Sequence, residues 1–442
     1  MKKRYASTWE SLKEHQVPQW YEDGKFGIFI HWGLYSVPAF APQTWELGEV
    51  PPDETWFSNN PYAEWYYNSI HVGYGPSYDY HVKKYGKDFK YEQFADMWKA
   101  EKWNPAEWAR LFKKAGAEYV VLTTKHHDGF CLFPSKYTDY NASKRGPQRD
   151  IVGDLTDAVR GENLRMGLYY SGIVDWTFAD DPILNNDDLF HTASPTFAYA
   201  DYAYNQSMEL IDRYAPSVFW NDIGWPRQGE HNLPYLLSHY YNTVEDGVVN
   251  DRFNDLYYDF TTKEYQSGSA NRREKWEMCR GMGLSFGYNA MESDDKIISI
   301  EDAISLLVST VANNGNLLLN IGPRADGTIP EEQEKRLLAI GEWLGVNGEA
   351  IYGSRCSSRE SIKYTDQIQV HFTERDGALY VLIDAKGRSQ VSVTVPGLCG
   401  NAVPLDPKVE AETAEADGGL RFTVKNFGDS QNVAVFRLNR IM

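Results

Sequence analysis

Eight short apolar segments between residues 25 and 323 constrain the fold of this 442-residue chain more than any other feature. Helical patterns separate most of them, and this alternation is typical of a parallel sheet covered by helices. Eight such units close into a (β/α)8 barrel. Because the later helical patterns are weak, we predict an irregular, TIM-like (β/α)8 barrel. The predicted strands are 25–31, 119–123, 165–170, 217–220, 247–252, 256–260, a segment within 276–289, and 316–323.

The pattern changes after about residue 353. Short or alternating apolar strands follow one another there, separated by turn residues and with no helical pattern between them. This pattern is typical of an all-β sandwich. We therefore predict two domains: a barrel over 1–352, which would carry the active site, and a C-terminal β-sandwich over 353–442.

Charge excludes two classes of partner. The chain carries 44 basic and 62 acidic side chains, a formal net charge of −18. This excess repels phosphate backbones and anionic lipid surfaces, so we expect neither nucleic acid nor a membrane as a partner. Aromatic residues make up 14% of the chain. They fill a large core, and they can also serve as stacking surfaces for the apolar C–H faces of sugar rings.

Several common motifs are absent. The cysteines form no CxxC pair, so zinc and redox motifs are not expected and the thiols should be free. Phosphate-binding glycine loops and the GxSxG motif are also missing, so we expect no cofactor. No apolar run follows Met1, and the chain as given is therefore expected in the cytoplasm, unless a leader was removed.

The fourth predicted strand ends in a carboxylate. Trp220 closes the strand, Asp222 follows, and Gly224 and Pro226 then break the pattern. A carboxylate just past a buried strand and beside tryptophans is how a barrel enzyme presents charge to a sugar. The alternative is that Asp222 only caps the next element.

Glycoside cleavage needs a second carboxyl group across the scissile bond. Glu264, Glu277, Glu64 and Glu46 each have an aromatic neighbour in sequence, and such a neighbour can desolvate a carboxyl and raise its pKa. Adjacency alone does not choose among them, and any of the four could instead be a solvated surface residue. Arg252, at another strand end, would either set the charge of a catalytic carboxylate or serve as a partner in a buried ion pair.

The pair His126-His127 raises the question of a metal site. Adjacent residues on a strand point to opposite faces, so both could bind one ion only if the strand has already ended. No HxH or HExxH motif is present, and the other histidine at a strand end is His31. We predict no metal, and we expect the imidazoles to form hydrogen bonds with sugar hydroxyls.

Six motifs together resemble the α-L-fucosidases of glycoside hydrolase family 29. The resemblance covers about residues 8 to 352, keeps the family's motif order, and is specific because six separate motifs would not recur together by chance. It implies a retaining exo-glycosidase that removes terminal α-L-fucose through a covalent fucosyl–enzyme intermediate. The motifs are 26–33 (FGIFIHWG), 64–66 (EWY), 124–130 (TKHHDGF), 169–171 (YYS), 220–222 (WND) and 285–289 (SFGYN).

The resemblance also implies roles for individual residues. Asp222 matches the nucleophile, and Phe286 matches an aromatic position facing the sugar's methyl group. Glu264 falls where one branch of the family places the acid/base, with Glu277 as the alternative because of its Lys-Trp-Glu context. The positions that match the lining of the fucose pocket are His31, Glu64, Trp65, His126, His127, Tyr169, Trp220 and Arg252.

The implied substrate is a fucosylated oligosaccharide or glycoconjugate. Two other functions stay open at this point. One is a lectin-like protein that binds fucose without turnover, and the other is a related α-glycosidase acting on a fucose-like sugar. A homo-oligomer also stays open.

Overall fold

The computed structural model describes residues 4–46, 55–179, 181–189, 196–266, 272–416, 418–429 and 431–439. Eight parallel strands form the first sheet, with the spatial order β5-β4-β3-β2-β1-β8-β7-β6. The strands are β1 Phe26–Ile30, β2 Tyr119–Lys125, β3 Arg165–Ser171, β4 Val218–Asp222, β5 Val248–Val249, β6 Thr261–Glu264, β7 Trp276–Gly281 and β8 Gly315–Ile321.

The two end strands of this sheet close the barrel. A parallel bridge joins Asn250 to Phe260, directly beyond β5 and before β6. The backbone N–H of Asp251 donates to the Phe260 carbonyl at 3.0 Å, and that of Asp259 donates to the Val249 carbonyl at 3.0 Å. The prediction of a TIM-like barrel is confirmed.

Helices cover the outside of the barrel unevenly. One helix follows each of β2, β3, β4, β7 and β8, and the long connection after β1 ends in another. The described residues between β5 and β7 contain no helix, which is the predicted irregularity. The helices are α1 Trp9–Leu12, α2 Gln19–Gly24, α3 Thr55–Ser58, α4 Tyr66–His71, α5 Pro76–Tyr85, α6 Phe94–Met97, α7 Pro105–Lys114, α8 Ile151–Gly161, α9 Phe197–Tyr214, α10 Leu233–Thr243, α11 Ile300–Ala312 and α12 Glu331–Asn347.

The sixth strand was predicted at the wrong place. Residues 256–260 look apolar and aromatic, but the side chain of Asn254 accepts from the backbone N–H groups of Leu256 and Tyr257 at 2.7 and 3.0 Å. These bonds hold a turn that leaves Leu256 58% exposed. The strand begins only at Thr261, where the chain reaches the edge of β7.

Aromatic side chains fill the barrel interior. Gly27 on β1 makes this packing possible, because a Cβ at that position would lie 2.5 Å from the ring of Tyr119 on the neighbouring strand. The Tyr119 ring therefore occupies the interior at the bottom of the barrel. Phe29, Tyr169 and Trp220 pack above it toward the carboxyl ends of the strands.

Two antiparallel sheets follow the last barrel helix. Their facing sides share one apolar cluster that includes Phe372, Val393, Phe422 and Phe436, which is the packing of a β-sandwich. The first sheet has the order β10-β11-β12-β17-β14 with β9 beside β11, and the second has the order β13-β16-β15. The strands are β9 Arg355–Cys356, β10 Ile362–Lys363, β11 Ile368–Arg375, β12 Ala378–Ala385, β13 Val391–Pro396, β14 Ala402–Pro404, β15 Glu410–Ala416, β16 Gly419–Asn426 and β17 Val433–Asn439.

The sandwich rests against the barrel. Tyr380, Leu382 and Val435 of its first sheet pack into the same apolar cluster as the barrel helices, and the Trp343 indole of α12 donates to the Val433 carbonyl at 3.3 Å. The described residues contain no helix that is both long enough and apolar enough to cross a membrane.

Candidate active site

A cavity of about 300 Å³ opens at the carboxyl ends of the barrel strands. Its size lies at the lower end of the range for small-molecule sites. All the predicted site residues line it except the alternative acid, Glu277. The lining contains His31, Glu64, Trp65, His126, His127, Tyr169, Trp220, Asp222, Arg252, Glu264 and Phe286.

Asp222 ends β4 and points into this cavity. One carboxylate oxygen accepts from the Tyr169 hydroxyl at 2.7 Å, and the other pairs with the guanidinium of Arg252. Burial raises the pKa of Asp222, but the Arg252 charge and these hydrogen bonds outweigh it, so the pKa lies below its ordinary value. The carboxylate is therefore ionised and oriented.

The backbone directly after Asp222 is strained. Ile223 has φ +60°, in the left-handed region that β-branched residues rarely adopt, and Gly224 follows with φ +119°. The backbone N–H of Ile223 donates to the Asp222 carboxylate at 2.9 Å. This turn holds the Asp222 carboxylate in place, and Ile223 itself lines the cavity.

Arg252 links two carboxylates. One guanidinium nitrogen pairs with Asp222, while Nη2 lies 3.0 Å from Glu264 Oε2. The guanidinium also lies over the Trp220 ring, 4.8 Å from its centroid. The sequence left two roles open for Arg252. In the structure it has both, because it forms ion pairs with the two carboxylates and thereby influences their charge.

Glu264 ends β6 on the other side of Arg252. Its Oε1 accepts from the Tyr62 hydroxyl at 3.3 Å. Burial raises the pKa of Glu264, Arg252 lowers it and the charge of Asp222 raises it, and the net shift is upward. The two carboxyl groups beside Arg252 thus have pKa values displaced in opposite directions, the arrangement of an acid paired with an ionised carboxylate.

Glu277 lies below the cavity and does not line it. It is fully buried, and its carboxylate accepts from the hydroxyls of Tyr21 and Tyr119 at 2.9 and 2.6 Å and from the Trp220 indole at 2.9 Å. All of its partners are side chains of the barrel interior. Glu46, another candidate, pairs with Arg280 at 2.9 Å and is likewise absent from the cavity lining.

Two histidines present unprotonated nitrogens to the cavity. Asn320 donates its amide N–H to the Phe286 carbonyl, so its oxygen faces His31 and accepts from Nδ1 at 2.7 Å. Ser171 donates to the Val174 carbonyl and therefore accepts from His127 Nδ1 at 2.7 Å. Burial lowers the pKa of His31 to about 4 and that of His127 well below its ordinary value. In each ring Nε2 is left as an acceptor.

Nitrogens of His126 and His127 and a carboxylate oxygen of Asp222 lie within 4.8 Å of one another, close enough for a shared cation. The structure does not favour this use. Tyr169 and Arg252 already occupy the Asp222 oxygens, and the guanidinium would repel a cation. Burial lowers the pKa of His126 well below its ordinary value, so its ring is neutral and can accept a hydrogen bond from a hydroxyl. The set suits hydroxyl groups better than a metal ion.

Glu64 adds a third carboxyl group to the cavity. Its Oε2 accepts from the Gly287 backbone N–H at 2.7 Å and from the Ser285 hydroxyl at 3.3 Å. Burial raises its pKa to about 7. The same loop carries Phe286, whose ring lies 5.0 Å from His31 between centroids. The carboxyl of Glu64 therefore holds the loop that presents the apolar ring.

A buried ion pair supports the wall formed by the histidines. Lys125 donates to Asp175 at 2.9 Å, and both side chains are fully buried. The Trp176 backbone N–H, next to Asp175, donates to the His127 carbonyl at 2.8 Å. The Trp176 ring in turn packs on Trp65 at 5.4 Å between centroids. This pair was not predicted as part of the site, although Lys125 lies inside the TKHHDGF motif.

The sequence analysis missed other lining residues. Tyr62 touches Glu264, yet 202 positions separate them and nothing around Tyr62 marks it as a partner. Several others come from the long connection after β1 or from the loop after β3. These segments have no regular apolar pattern from which the direction of a side chain could be predicted. The lining residues that were not predicted are Phe29, Trp56, Phe57, Asn60, Tyr62, Asn186, Leu189, Ile223 and Cys279.

Comparisons with known proteins point to one family. A family model described as alpha-L-fucosidase matches residues 1–349. An α-L-fucosidase of Dictyostelium discoideum is 34% identical over 424 residues, which cover 90% of this chain and 87% of the relative. The tissue α-L-fucosidase of Bos taurus is 35% identical over 420 residues, covering 89% of this chain and 83% of the relative.

Solved structures are similar over almost the whole chain. A Thermotoga maritima α-L-fucosynthase in complex with alpha-L-Fuc-(1-2)-beta-L-Fuc-N3 superposes with a TM-score of 0.91 at 47% identity, covering 98% of this chain and 100% of that chain. The α-L-fucosidase isoenzyme 1 of Paenibacillus thiaminolyticus has a TM-score of 0.74 at 25% identity, covering 97% and 100%. The barrel and the C-terminal sheets thus have a similar arrangement in these solved structures.

Proposed function

This chain belongs to the α-L-fucosidase family and is a glycoside hydrolase, and we propose that it releases terminal α-L-fucose by the retaining, two-step route, with Asp222 as nucleophile and Glu264 as acid/base. The single observation that carries this assignment is the pair of carboxyl groups on either side of Arg252. One has a lowered pKa and the other a raised pKa. Glu277 accepts three hydrogen bonds below the cavity and is not available for proton transfer to a substrate.

In the first step Glu264 protonates the oxygen of the leaving group while Asp222 attacks the anomeric carbon. The C–O bond to the leaving group breaks, and a bond between the sugar and the Asp222 oxygen forms. Retaining glycosidases hold these two carboxyl groups about 5–5.5 Å apart. We expect this separation in a complex with substrate, where the sugar displaces part of the Arg252 contact.

The second step needs Glu264 as a base, and the geometry favours this change of role. The negative charge of Asp222 raises the pKa of Glu264 in the free enzyme. Once Asp222 is esterified its charge is gone, so the pKa of Glu264 falls while Arg252 still lowers it. Glu264 then accepts a proton from water, which attacks the anomeric carbon and restores the Asp222 carboxylate.

The remaining residues suit a deoxy sugar. His31, His126 and His127 are neutral, and such imidazoles accept hydrogen bonds from hydroxyls. His127 Nε2 and Asp222 Oδ2 are 3.8 Å apart and both are acceptors, so a sugar hydroxyl that donates between them would complete the site. Phe286 offers an apolar face for the methyl group of fucose.

Labelling tests the proposal most directly. A 2-deoxy-2-fluoro-α-L-fucosyl fluoride should react once and accumulate as an ester on Asp222, located by peptide mass mapping. Proton NMR of the first fucose released from a substrate should show the α anomer. Release of β-fucose, or the label on another residue, would refute the assignment. Rates on matched aryl fucosides and aryl galactosides distinguish a fucosidase from a related α-glycosidase. Turnover of either substrate excludes a lectin without catalytic activity.

A further inference from the structure

One loop, residues 282–289 after β7, joins several parts of the catalytic cavity. It carries Phe286, whose backbone carbonyl accepts from the Asn320 amide at 2.7 Å, and the Asn320 oxygen accepts from His31 Nδ1. The backbone of the same loop donates to Glu64 Oε2 at 2.7 Å. A shift of this loop would therefore move an apolar wall, a histidine and a carboxyl group together.

The residue after the proposed acid/base is bound to this loop as well. Tyr265 directly follows Glu264. Its hydroxyl donates to the carbonyl oxygens of Gly283 and Leu284, each at 3.1 Å. Its ring packs against Phe286, with 5.6 Å between the centroids. The position of the loop thus influences both the wall of the cavity and the end of β6.

Glu292 holds the loop from outside the lining of the catalytic cavity. Its Oε1 accepts from the backbone N–H of Ser285 at 2.8 Å, and the backbone N–H of Leu284 also donates to this carboxyl group. Its Oε2 lies against Gly283, because a Cβ at that position would be only 2.2 Å away. Burial raises the pKa of Glu292 to about 7. The described residues place no basic side chain within ion-pair distance of Glu292, so the loop backbone is its partner.

A second set of hydrogen bonds fixes Glu292 itself. Its backbone N–H donates to the Asn289 carbonyl at 3.2 Å, and the backbone N–H of Ala290 donates to the Ala39 carbonyl at 2.9 Å. The Asn289 side chain accepts from the Ala41 backbone N–H at 3.2 Å and donates to the Ala41 carbonyl at 3.0 Å. The turn that carries Glu292 is therefore attached to the connection after β1, and its carboxyl group meets the loop from a fixed support.

Two carboxyl groups thus hold the backbone on either side of Phe286. Glu292 binds the peptide N–H of Ser285, and Glu64 binds that of Gly287. Hydrogen bonds from backbone N–H groups to carboxylates are among the stronger ones in proteins. Glu64 also lines the cavity, whereas Glu292 acts only through the backbone. The position of the Phe286 ring therefore depends on a residue that does not meet the substrate.

We propose that Glu292 is a positioning residue for the methyl group of the sugar: by holding the 282–289 loop it sets the place of the Phe286 ring, and so the preference for a sugar that carries this methyl. The inference rests on the proposed function. An apolar pocket discriminates by about 10–200-fold for one carbon more or less. It does so only while its walls stay in contact with that carbon. Loss of the Glu292 contact lets the loop move and reduces this discrimination.

The test compares L-fucose with D-arabinose, the pyranose that has the same ring hydroxyls but no methyl group. Their Kd values are measured on the whole protein by ligand-observed NMR titration, which needs no turnover. The wild-type protein should bind fucose about tenfold more tightly or better. Glu292→Ala should reduce this ratio to about threefold or less by weakening the binding of fucose and leaving that of arabinose within about twofold. Glu292→Gln, which keeps one acceptor oxygen, should lie between.

Gly283→Ala disturbs the same contact from the loop. The backbone of Gly283 lies outside the left-handed region, so the main effect of the alanine methyl is to push the Glu292 carboxyl group aside. This variant should lower the ratio as Glu292→Ala does. Adding it to Glu292→Ala should change nothing further, because the methyl then meets no carboxyl group.

The matched control is Glu209→Ala. Glu209 also accepts a backbone N–H, that of Lys136 at 3.0 Å, in a loop that contributes no residue to the lining of the catalytic cavity. The control should lower the thermal midpoint and leave the ratio unchanged.

Three results would overturn the proposal. They are a wild-type ratio near one, a wild-type ratio that persists in both Glu292→Gln and Gly283→Ala, and an equal fall of the ratio in Glu209→Ala. A wild-type protein that prefers fucose as expected but hydrolyses no aryl fucoside would instead refute the proposed function alone.

Discussion

The indole of Trp220 donates to Glu277 Oε1 at 2.9 Å, and this bond fixes the floor of the catalytic cavity. The other carboxylate oxygen of Glu277 accepts from Tyr21 and Tyr119, at 2.9 and 2.6 Å. Trp220 thus meets the cavity on one side and a buried carboxylate on the other. Glu277, which the sequence analysis named as the alternative acid/base, instead holds three aromatic side chains in place.

Glu277→Gln should lower the stability of the protein without changing the catalytic steps. The amide has one acceptor oxygen where the carboxylate has two, so at least one of the three donors loses its partner. An unsatisfied buried donor costs about 1–3 kcal/mol. We expect a lower thermal midpoint with the pH profile of kcat/KM unchanged. Glu264→Gln is the comparison, with stability retained and activity lost.

Asp222→Gly should reduce kcat/KM for aryl fucosides by about 10⁴-fold or more, the order seen when a nucleophile is removed. Added azide should restore part of the rate, because the small anion can enter the vacated space and attack the anomeric carbon. The product should be β-L-fucosyl azide, identified by NMR. Rescue at a different aspartate, with none at Asp222, would reassign the nucleophile.

Glu264→Ala should separate substrates by leaving group. A glycan leaving group needs a proton, so its kcat/KM should fall by about 10²–10⁴-fold, the usual contribution of a general acid. A dinitrophenyl or fluoride leaving group should lose far less in the glycosylation step. Glu46→Ala, outside the cavity, serves as control. If Glu277→Ala rather than Glu264→Ala gives this pattern, the acid/base has been misassigned.

The pH dependence of kcat/KM should follow the carboxyl pair. Asp222 must be ionised, and its lowered pKa places the acidic limb below the ordinary range for aspartate. Glu264 must be protonated, and its raised pKa places the alkaline limb above the ordinary range for glutamate. Because the Arg252 charge lowers both pKa values, Arg252→Gln should move both limbs to higher pH. A shift of only one limb, or a shift to lower pH, would contradict the shared contact.

Lys125→Met should destabilise the protein strongly. The change leaves the carboxylate of Asp175 in a fully buried place without its ammonium partner, and breaking a buried pair in this way costs about 3–5 kcal/mol. Adding Asp175→Asn should recover part of the loss, as measured by thermal unfolding of the two single variants and the double variant. If the destabilisation of the double variant equals the sum of those of the two single variants, the pair contributes no coupling energy.

Much of the site could be predicted because parallel strands deliver their final residues to one place. His31 and His126 follow two different strands and Asp222 ends a third, and the barrel gathers such positions at its mouth. Contacts across long loops could not be predicted in this way. Tyr62 reaches Glu264 from the connection after β1, and the sixth strand was predicted too early because the pattern around Leu256 hid a turn.

The sequence by itself determined the barrel, the sandwich and the residue types at the strand ends, since strand periodicity and motif order are local properties. Only the tertiary structure decided which glutamate faces the substrate. In the register of β6 and β7, Glu264 lies beside Cys279, whereas Glu277 lies beside Thr262. Two residues along a strand keep the same face but move a side chain about 6–7 Å deeper. One carboxyl group therefore reaches the cavity and the other is enclosed by aromatic donors beneath it.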